Sequence, residues 1–551
     1  QLRRNVGGLL KYLAFLGVVI LAYSVLFHFI MLHAEGQEHS WITGIYWTLT
    51  VMSTLGFGDI TFTSDIGRAF SVVVLLSGIV LLLIVLPFAF IRYFYAPWLE
   101  ARLRIRAPTE VPAGTSGHVL LTEWDPVARG LAHRLDAEGK SWYVIEGDSA
   151  TATDMYEQDL PVLRGEVDDA ETYRRAAADS ARLVLASGDD RTNTNVVLTV
   201  RETATHVPVA ALVDDEHSVD ILEMSGCNRV FLLKRRLGEQ LANRVRAGHA
   251  EAHVIGRYKD LVIAEFSVHA TPLVGKTLAQ SRIREIAGAS VAGVWERGRM
   301  RPPAADLVLS ETSLPVVAGS QEAIDRLNEF LFIYDTDTNP VVVIGGGKVG
   351  RAATRALRER STSVHMVEKN PELAERIGDL PDRLVIGDAA DRRVMERVGV
   401  ERAPSILLST NDDATNIYLS SYCRRLNPEA QIVSRITHDR NLTAIQRAGA
   451  DLTLSYTTLG VETVLALLRD RPPLILGEGV AFHEVPCPRR LEGKTIGSAG
   501  VGALTGLTVV GLEKPDGPVV TDPGPETRLT PGAVLLAIGT EEQVKALREL
   551  E

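Results

Sequence analysis

Thr54-Leu55-Gly56-Phe57-Gly58-Asp59 lies between two apolar runs, Leu9–Leu32 and Ala69–Phe94. Each run is long enough to cross a hydrocarbon core of about 30 Å. A polar, glycine-rich hexamer at membrane depth needs a reason, because irregular backbone survives there only when buried in protein or lining water. Glycines at alternate positions, Gly56 and Gly58, open backbone conformations closed to residues with a Cβ. They let successive carbonyls of Thr54, Leu55, Gly56 and Phe57 turn toward one axis, joined by the Thr54 hydroxyl. The plain alternative is a Gly-x-Gly-Asp turn that happens to fall between two helices.

Upstream, Ser40-Trp41-Ile42-Thr43-Gly44-Ile45-Tyr46-Trp47-Thr48-Leu49-Thr50 reads as a short re-entrant helix with Ser40 as its cap. Its negative end would face the hexamer. Arg3, Arg4 and Lys11 stand at the first span, and Arg92, Arg102, Arg104 and Arg106 flank or follow the second. Only Arg68 is cationic between them, against Glu35, Glu38, Asp59 and Asp65. The positive-inside rule therefore puts both ends in the cytoplasm and the hexamer outside, with the chain in the cell (inner) membrane lipid bilayer.

This arrangement resembles the two-helix potassium channels, whose selectivity filter is a ring of four Thr-Val-Gly-Tyr-Gly loops with carbonyls replacing the ion's hydration shell. The resemblance implies K⁺ as the permeant ion, residues 54–59 as the filter and a homotetramer. Leu55 and Phe57 depart from the common filter, and neither change removes a ligand. Phe57 lacks the hydroxyl that would bond an aromatic residue of the pore helix, for which Trp47 is the expected partner. Gly78 stands where related channels place a hinge glycine, although close helix packing explains a membrane glycine equally well. Pro87 cannot donate to the carbonyl of Leu83, so an interruption of the inner helix is expected near Leu83–Pro87.

Composition bounds the remainder. The chain has 551 residues, enough for three or four domains. Its net charge of −11 argues against a nucleic-acid partner. Cys227, Cys423 and Cys487 lack metal spacing and fit a reduced compartment. Pro97, Pro108, Pro112 and Gly114 give residues 97–117 the composition of a semi-stiff linker.

From His118 the chain is written twice. Glu146 recurs as Glu368, Gly165 as Gly387, Asp189-Asp190 as Asp412-Asp413, and Gly275-Lys276-Thr277 as Gly493-Lys494-Thr495. Such long-period similarity means tandem domains. In each, strands such as Trp142–Glu146, Leu183–Ala186 and Val209–Val213 alternate with helical patterns, the mark of a parallel sheet with crossover helices.

The second copy carries a phosphate-binding turn. Val341-Val342-Val343-Ile344 is a buried strand, and Gly345-x-Gly347-x-x-Gly350 opens a helix at Lys348 and Val349. The helix N-terminus offers free N–H groups and partial positive charge. Glu368 ends the next strand, where it can accept from ribose hydroxyls and favours NAD or ADP over NADP. In the first copy Glu123, Asp125 and Ala128 replace the glycines while Glu146 remains, so no dinucleotide is expected there. Glu123, Asp125 and Glu146 read as a solvated sheet edge or as an oxygen-rich site for Ca²⁺; Asp168, Asp169 and Glu171, or Asp214, Asp215 and Glu216, are rival sets.

Pore, linker and tandem nucleotide-type domains together resemble a potassium channel gated by RCK domains, the regulators of K⁺ conductance. The fold class so implied is an α-helical transmembrane pore, two spans plus a re-entrant pore helix, joined to tandem α/β Rossmann-like domains with small α+β C-terminal lobes. The expected boundaries are a pore domain at 1–96 (outer helix 9–32, pore helix 40–52, filter 54–59, inner helix 69–94) and a linker at 97–117. The first copy takes 118–253 with a lobe at 254–335, and the second takes 340–474 with a lobe at 475–551. The resemblance adds Asp388, Ala389, Asn411 and Arg435 to the nucleotide set. The plain alternatives are helix caps for Asp388 and Asp412 and a salt-bridge partner for Arg435. The Gly-Lys-Thr of each lobe reads as a turn before a helix.

The implied function is a ligand-gated K⁺ channel. Four chains supply one pore and a ring of eight regulatory domains that sense NAD or ADP, and Ca²⁺ as a further ligand. Rival readings are a non-selective cation channel of the same fold, a membrane-anchored NAD-dependent oxidoreductase, and a pore-less accessory subunit. No Cys/His pair or Tyr-x-x-x-Lys accompanies the glycine turn, which disfavours the enzyme.

Overall fold

The computed structural model describes residues 2–95, 107–246, 251–269, 271–296, 299–331, 339–471, 474, 476–477, 479–515 and 517–550. The chain divides into two compact units, Gln1–Arg106 and Ala107–Glu551.

The first unit contains α1 (Leu2–Ala34), α2 (Trp41–Met52) and α3 (Asp65–Gly78). Two segments, Leu10–Ala34 and Asp65–Phe90, are long and apolar enough to span a membrane. Ser40 caps α2 by accepting from Thr43 N–H, and Ser64 caps α3 by accepting from Gly67 N–H. Between the helices, Trp47 stacks on Phe27 at 4.9 Å and on Phe70 at 5.7 Å and meets Phe62 edge-on at 5.2 Å. Glu35, just past α1, accepts from Thr63 N–H at 3.0 Å and Ser64 N–H at 2.8 Å, joining the end of the outer helix to the start of the inner one.

Beyond Gly78 the inner helix widens into π turns over Ile79–Val85 before an α-helical turn at Leu86–Phe90. The interruption expected near Pro87 is thus a change of hydrogen-bond step, with Leu86 N–H donating to Leu81 O while the backbone stays right-handed. Leu81 O also accepts from Tyr12 of α1 at 2.5 Å. Leu81 O thus carries two donors, one from its own helix and one from its neighbour.

The second unit opens with the far end of the linker; residues 97–106 lie outside the described residues. Pro108 O accepts from Arg164 N–H at 2.8 Å, Val111 N–H donates to Arg175 O at 3.0 Å, and Gly117 N–H donates to Ser180 O at 2.8 Å. The stiff segment is therefore laid along the first sheet. That sheet consists of β1 (Val119–Leu121), β2 (Trp142–Glu146), β3 (Val162–Arg164), β4 (Leu183–Ala186), β5 (Val209–Leu212) and β6 (Arg229–Phe231), in the order 3-2-1-4-5-6. All its pairings are parallel.

The second copy repeats this order with β7 (Val341–Ile344), β8 (Val364–Glu368), β9 (Arg383–Ile386), β10 (Ser405–Leu408), β11 (Gln431–Ile436) and β12 (Leu452–Ser455), again all parallel. In both sheets the chain reverses direction beside the first strand, leaving a crevice at the carboxyl ends where ligands bind in such folds.

Helices tie the copies together. In the first copy α4 (Pro126–Ala137) follows β1 and α5 (Leu233–Ala242) follows β6. In the second, α6 (Lys348–Glu359) follows β7, α7 (Asp413–Leu426) follows β10 and α8 (Tyr456–Leu468) follows β12. Helix α5 packs on α6, and α8 packs on α4. Each copy thus lends its last helix to the other's first. Leu131, Leu135, Leu237, Leu241, Val349, Leu459 and Val464 share one buried core across the boundary. Burying such side chains is worth about 1.5–3 kcal/mol each, so separating the copies would be costly.

Each copy ends in a small antiparallel lobe, with five strands in the first and four in the second among the described residues. Thr277 and Thr495 of the Gly-Lys-Thr segments cap short helices at Leu278–Ser281 and Ile496–Ala499, which accounts for that motif.

Candidate functional site

In the hexamer, left-handed backbone falls on every second residue: φ is 63° at Thr54, 50° at Gly56 and 75° at Gly58. This alternation turns successive peptide groups over, as a column of carbonyls requires. Thr54 N–H donates to Val51 O at 3.0 Å and Leu55 N–H to Thr50 O at 2.9 Å, seating the hexamer on the end of α2. Its far end is held by Tyr46, whose hydroxyl donates to Asp59 at 2.9 Å.

The aromatic partner of Phe57 within the chain is Tyr46, with rings parallel and 6.4 Å apart. Trp47, the expected partner, is instead buried between the helices and donates to Ile60 O at 3.2 Å. The two aromatics are neighbours on α2 and point about 100° apart. Gly78 sits against this same C-terminal end of α2, where a Cβ would lie 2.3 Å from Met52 Cα. That approach alone requires glycine.

In the second copy a cavity of about 640 Å³ opens at the sheet crevice, lined among others by Gly345, Gly347, Glu368, Asp388, Ala389 and Asn411. The three glycines have separate causes. Gly345 takes φ 105°. At Gly350 a Cβ would lie 1.9 Å from Gly345 O. Around Gly347, which precedes α6, nothing stands within 4 Å of where a Cβ would be, leaving the approach open. Ser409 braces the turn by donating to Gly345 O at 2.9 Å. Glu368, nearly buried, accepts from Gly346 N–H at 2.5 Å and Asn370 N–H at 2.7 Å.

Asp388 accepts from Ala390 N–H at 2.9 Å and pairs with Lys369 at 2.8 Å, which holds its carboxyl below the usual range. Asp412 is a helix cap, accepting from Thr415 N–H at 2.8 Å. Arg435 lies behind the wall: it is buried and donates to Asn411 Oδ1 and Thr437 Oγ1, each at 3.0 Å, so it positions Asn411 rather than facing the cavity. Lys348 and Val349 begin α6 outside the lining. Lys369 and Tyr418 do line the cavity, and neither was singled out in the sequence. Tyr418 projects from α7, and its one sequence signal is an exposed aromatic early in the helix after the fourth strand.

At the corresponding crevice of the first copy carboxylates stand where the second copy has its glycine turn. Asp125 caps α4 by accepting from Ala128 N–H at 2.7 Å, and Glu146 accepts from Asp148 N–H at 2.9 Å. Partial burial, with Asp125, Asp189 and Glu146 nearby, raises the pKa of Glu123.

Among the described residues no group of three or more His, Cys, Asp or Glu is arranged to hold a metal ion. Protein donors already engage most members of the Ca²⁺ sets expected from sequence. Asp169 caps a helix, and Glu171 pairs with Arg174 at 2.6 Å and Arg175 at 3.1 Å. Asp214 and Glu216 are likewise paired with cations.

Comparison with known proteins agrees with this geometry. Residues 15–94 match an ion channel family, residues 121–233 and 341–456 the TrkA-N domain, and residues 263–331 and 480–551 the TrkA-C domain. Potassium channel protein 1 of Methanocaldococcus jannaschii is 24% identical over 222 residues, 38% of this chain and 66% of that protein. The solved GsuK channel is 37% identical, with 99% of each chain covered and a TM-score of 0.60. A GsuK channel bound to NAD is also 37% identical over 99% of each chain, with a TM-score of 0.59. The chain belongs to the two-transmembrane potassium channels with tandem RCK domains.

Proposed function

We propose that four copies of this chain form one K⁺-selective pore in the cell membrane, with both termini and a ring of eight RCK domains in the cytoplasm. The ring binds an adenine nucleotide, NAD or ADP, in the second copy and passes its occupancy to the pore. The observation that carries this reading is the open approach at Gly347, at the free N-terminus of α6 with Glu368 beside it. A GsuK relative solved with NAD supports the ligand class. The turn, Lys348, Val349 and the helix N-terminus would hold phosphates. Glu368, Asp388, Ala389 and Asn411 would face the nucleoside. Ca²⁺ has no assembled ligand set among the described residues, so the proposal rests on the nucleotide.

Ligand binding moves the pore only by its difference in affinity between ring shapes. The linker along the first sheet would transmit that difference, and the π turns before Pro87 would absorb it as the inner helix bends. Gly78, packed on Met52, would serve as the fixed point of that bend. The site binds without chemistry. Replacing Gly347 by Trp and Glu368 by Arg should abolish the nucleotide response while leaving conductance intact. Unchanged nucleotide sensitivity, or oxidation of NADH by the purified protein, would refute this reading.

A further inference from the structure

Two acids of the first copy each hold two cations, one from either copy. Asp214 Oδ2 lies 2.6 Å from Lys234 Nζ and 3.7 Å from Lys348 Nζ. Glu216 Oε1 lies 3.2 Å from Arg235 and 3.2 Å from Arg355. Lys234 and Arg235 lie in the first turn of α5, while Lys348 and Arg355 share one face of α6. The loop bearing the acids is anchored, because Asp190 accepts from Asp214 N–H at 2.9 Å, Asp215 N–H at 3.1 Å and the Ser218 hydroxyl at 2.6 Å. The backbone that bears the carboxylates is thus anchored, and the cations are carried on the helices that join the copies.

Lys348 is the looser of the two partners of Asp214 and its side chain is 40% exposed. It is also the first residue of α6, next to Gly347. A phosphate on the free N–H groups of that helix lies within reach of its flexible four-carbon stem. Asp214 and the phosphate therefore compete for one ammonium group.

We propose that Lys348 exchanges between Asp214 of the first copy and the phosphates of a nucleotide bound in the second. Asp214 is then a positioning residue that sets nucleotide affinity from across the copy boundary. The inference rests on the nucleotide reading above. When Lys348 turns to phosphate, Asp214 keeps Lys234, and one charged tie from α6 to the first copy is released while Glu216–Arg355 remains. By linkage, the tie and the phosphate each weaken the other.

The test is calorimetric titration of the full-length channel with ADP, and with adenosine in competition, which lacks the phosphates. Asp214→Asn should tighten ADP binding about two- to fivefold, the scale of an exposed ion pair, and leave adenosine unchanged. Asp214→Glu should restore the wild-type value. Lys348→Met should weaken ADP binding, and Asp214→Asn should then have no effect in that background. Equal shifts for ADP and adenosine, or no shift for ADP in Asp214→Asn, would overturn the exchange. An unchanged ADP affinity in Lys348→Met would overturn it too, whatever Asp214→Asn does to folding. A wild-type channel that binds neither ADP nor NAD would remove the nucleotide reading and this inference together.

Discussion

A methyl group on Gly238 of α5 would lie 2.4 Å from the carbonyl oxygen of Val349, two residues beyond the Gly347 turn. Its counterpart, Gly460 of α8, would meet Val127 of α4 at 2.7 Å. The helix after each sixth strand therefore rests directly on the other copy's first helix, and a displacement of α6 is passed on by contact. Gly238→Ala should force α5 and α6 apart at a cost of about 1–3 kcal/mol. The expected outcome is a lower thermal unfolding midpoint and a smaller nucleotide-dependent change in open probability, with ADP binding retained. A wild-type midpoint and response would show that the helices separate freely.

Gly78 is predicted to act through Met52. A Cβ there would overlap the backbone at the end of α2, which carries the hexamer. Gly78→Ala should therefore disturb the filter itself, lowering unitary K⁺ current or K⁺/Na⁺ selectivity rather than only shifting open probability. Pro87→Ala removes no such contact and should alter open probability with unitary current unchanged. Single-channel amplitudes and reversal potentials separate the two.

The hydroxyl of Tyr46 is the link from α2 to Asp59. Tyr46→Phe keeps the ring on Phe57 and removes only that bond, which is worth about 0.5–1.5 kcal/mol. Currents carried by Tyr46→Phe should decline faster during sustained opening, and K⁺/Na⁺ selectivity should fall. Stable, fully selective currents would mean that the filter is braced elsewhere.

The carboxylates of the first crevice should make stability depend on pH. The pKa of Glu123 is raised in the folded protein, so the folded state binds more protons than the unfolded chain between the two values. Stability is then lost as pH rises through that window and is lowest above it. Glu123→Gln should raise the unfolding midpoint at pH 7 and lose this advantage as pH falls toward the ordinary carboxylate range. An advantage that grows on acidification would reverse the assignment.

The alternating left-handed backbone of the hexamer was legible in the sequence because it depends on local glycine spacing, and the duplicated sheets because their strands and turns recur in register. The turn at Gly345, Gly347 and Gly350 with Glu368 beside it was legible for the same reason, since one turn and one strand end make most of that cavity wall. What could not be read depends on rotation or on distant contact. Which of Tyr46 and Trp47 faces the hexamer follows from how α2 is turned against α1 and α3. The bond that Tyr12 makes to Leu81 O, inside the π turns at Ile79–Val85, comes from another helix. Asp214 and Glu216 look like metal ligands until α5 and α6 bring four cations to them.

The most direct test is single-channel recording from the reconstituted full-length protein, with NAD or ADP added to the face bearing the RCK domains. The account predicts K⁺-selective openings whose probability changes with nucleotide in the wild type and does not change in the Gly347→Trp/Glu368→Arg variant. Openings that do not prefer K⁺ over Na⁺, or a wild-type open probability indifferent to both nucleotides, would contradict it.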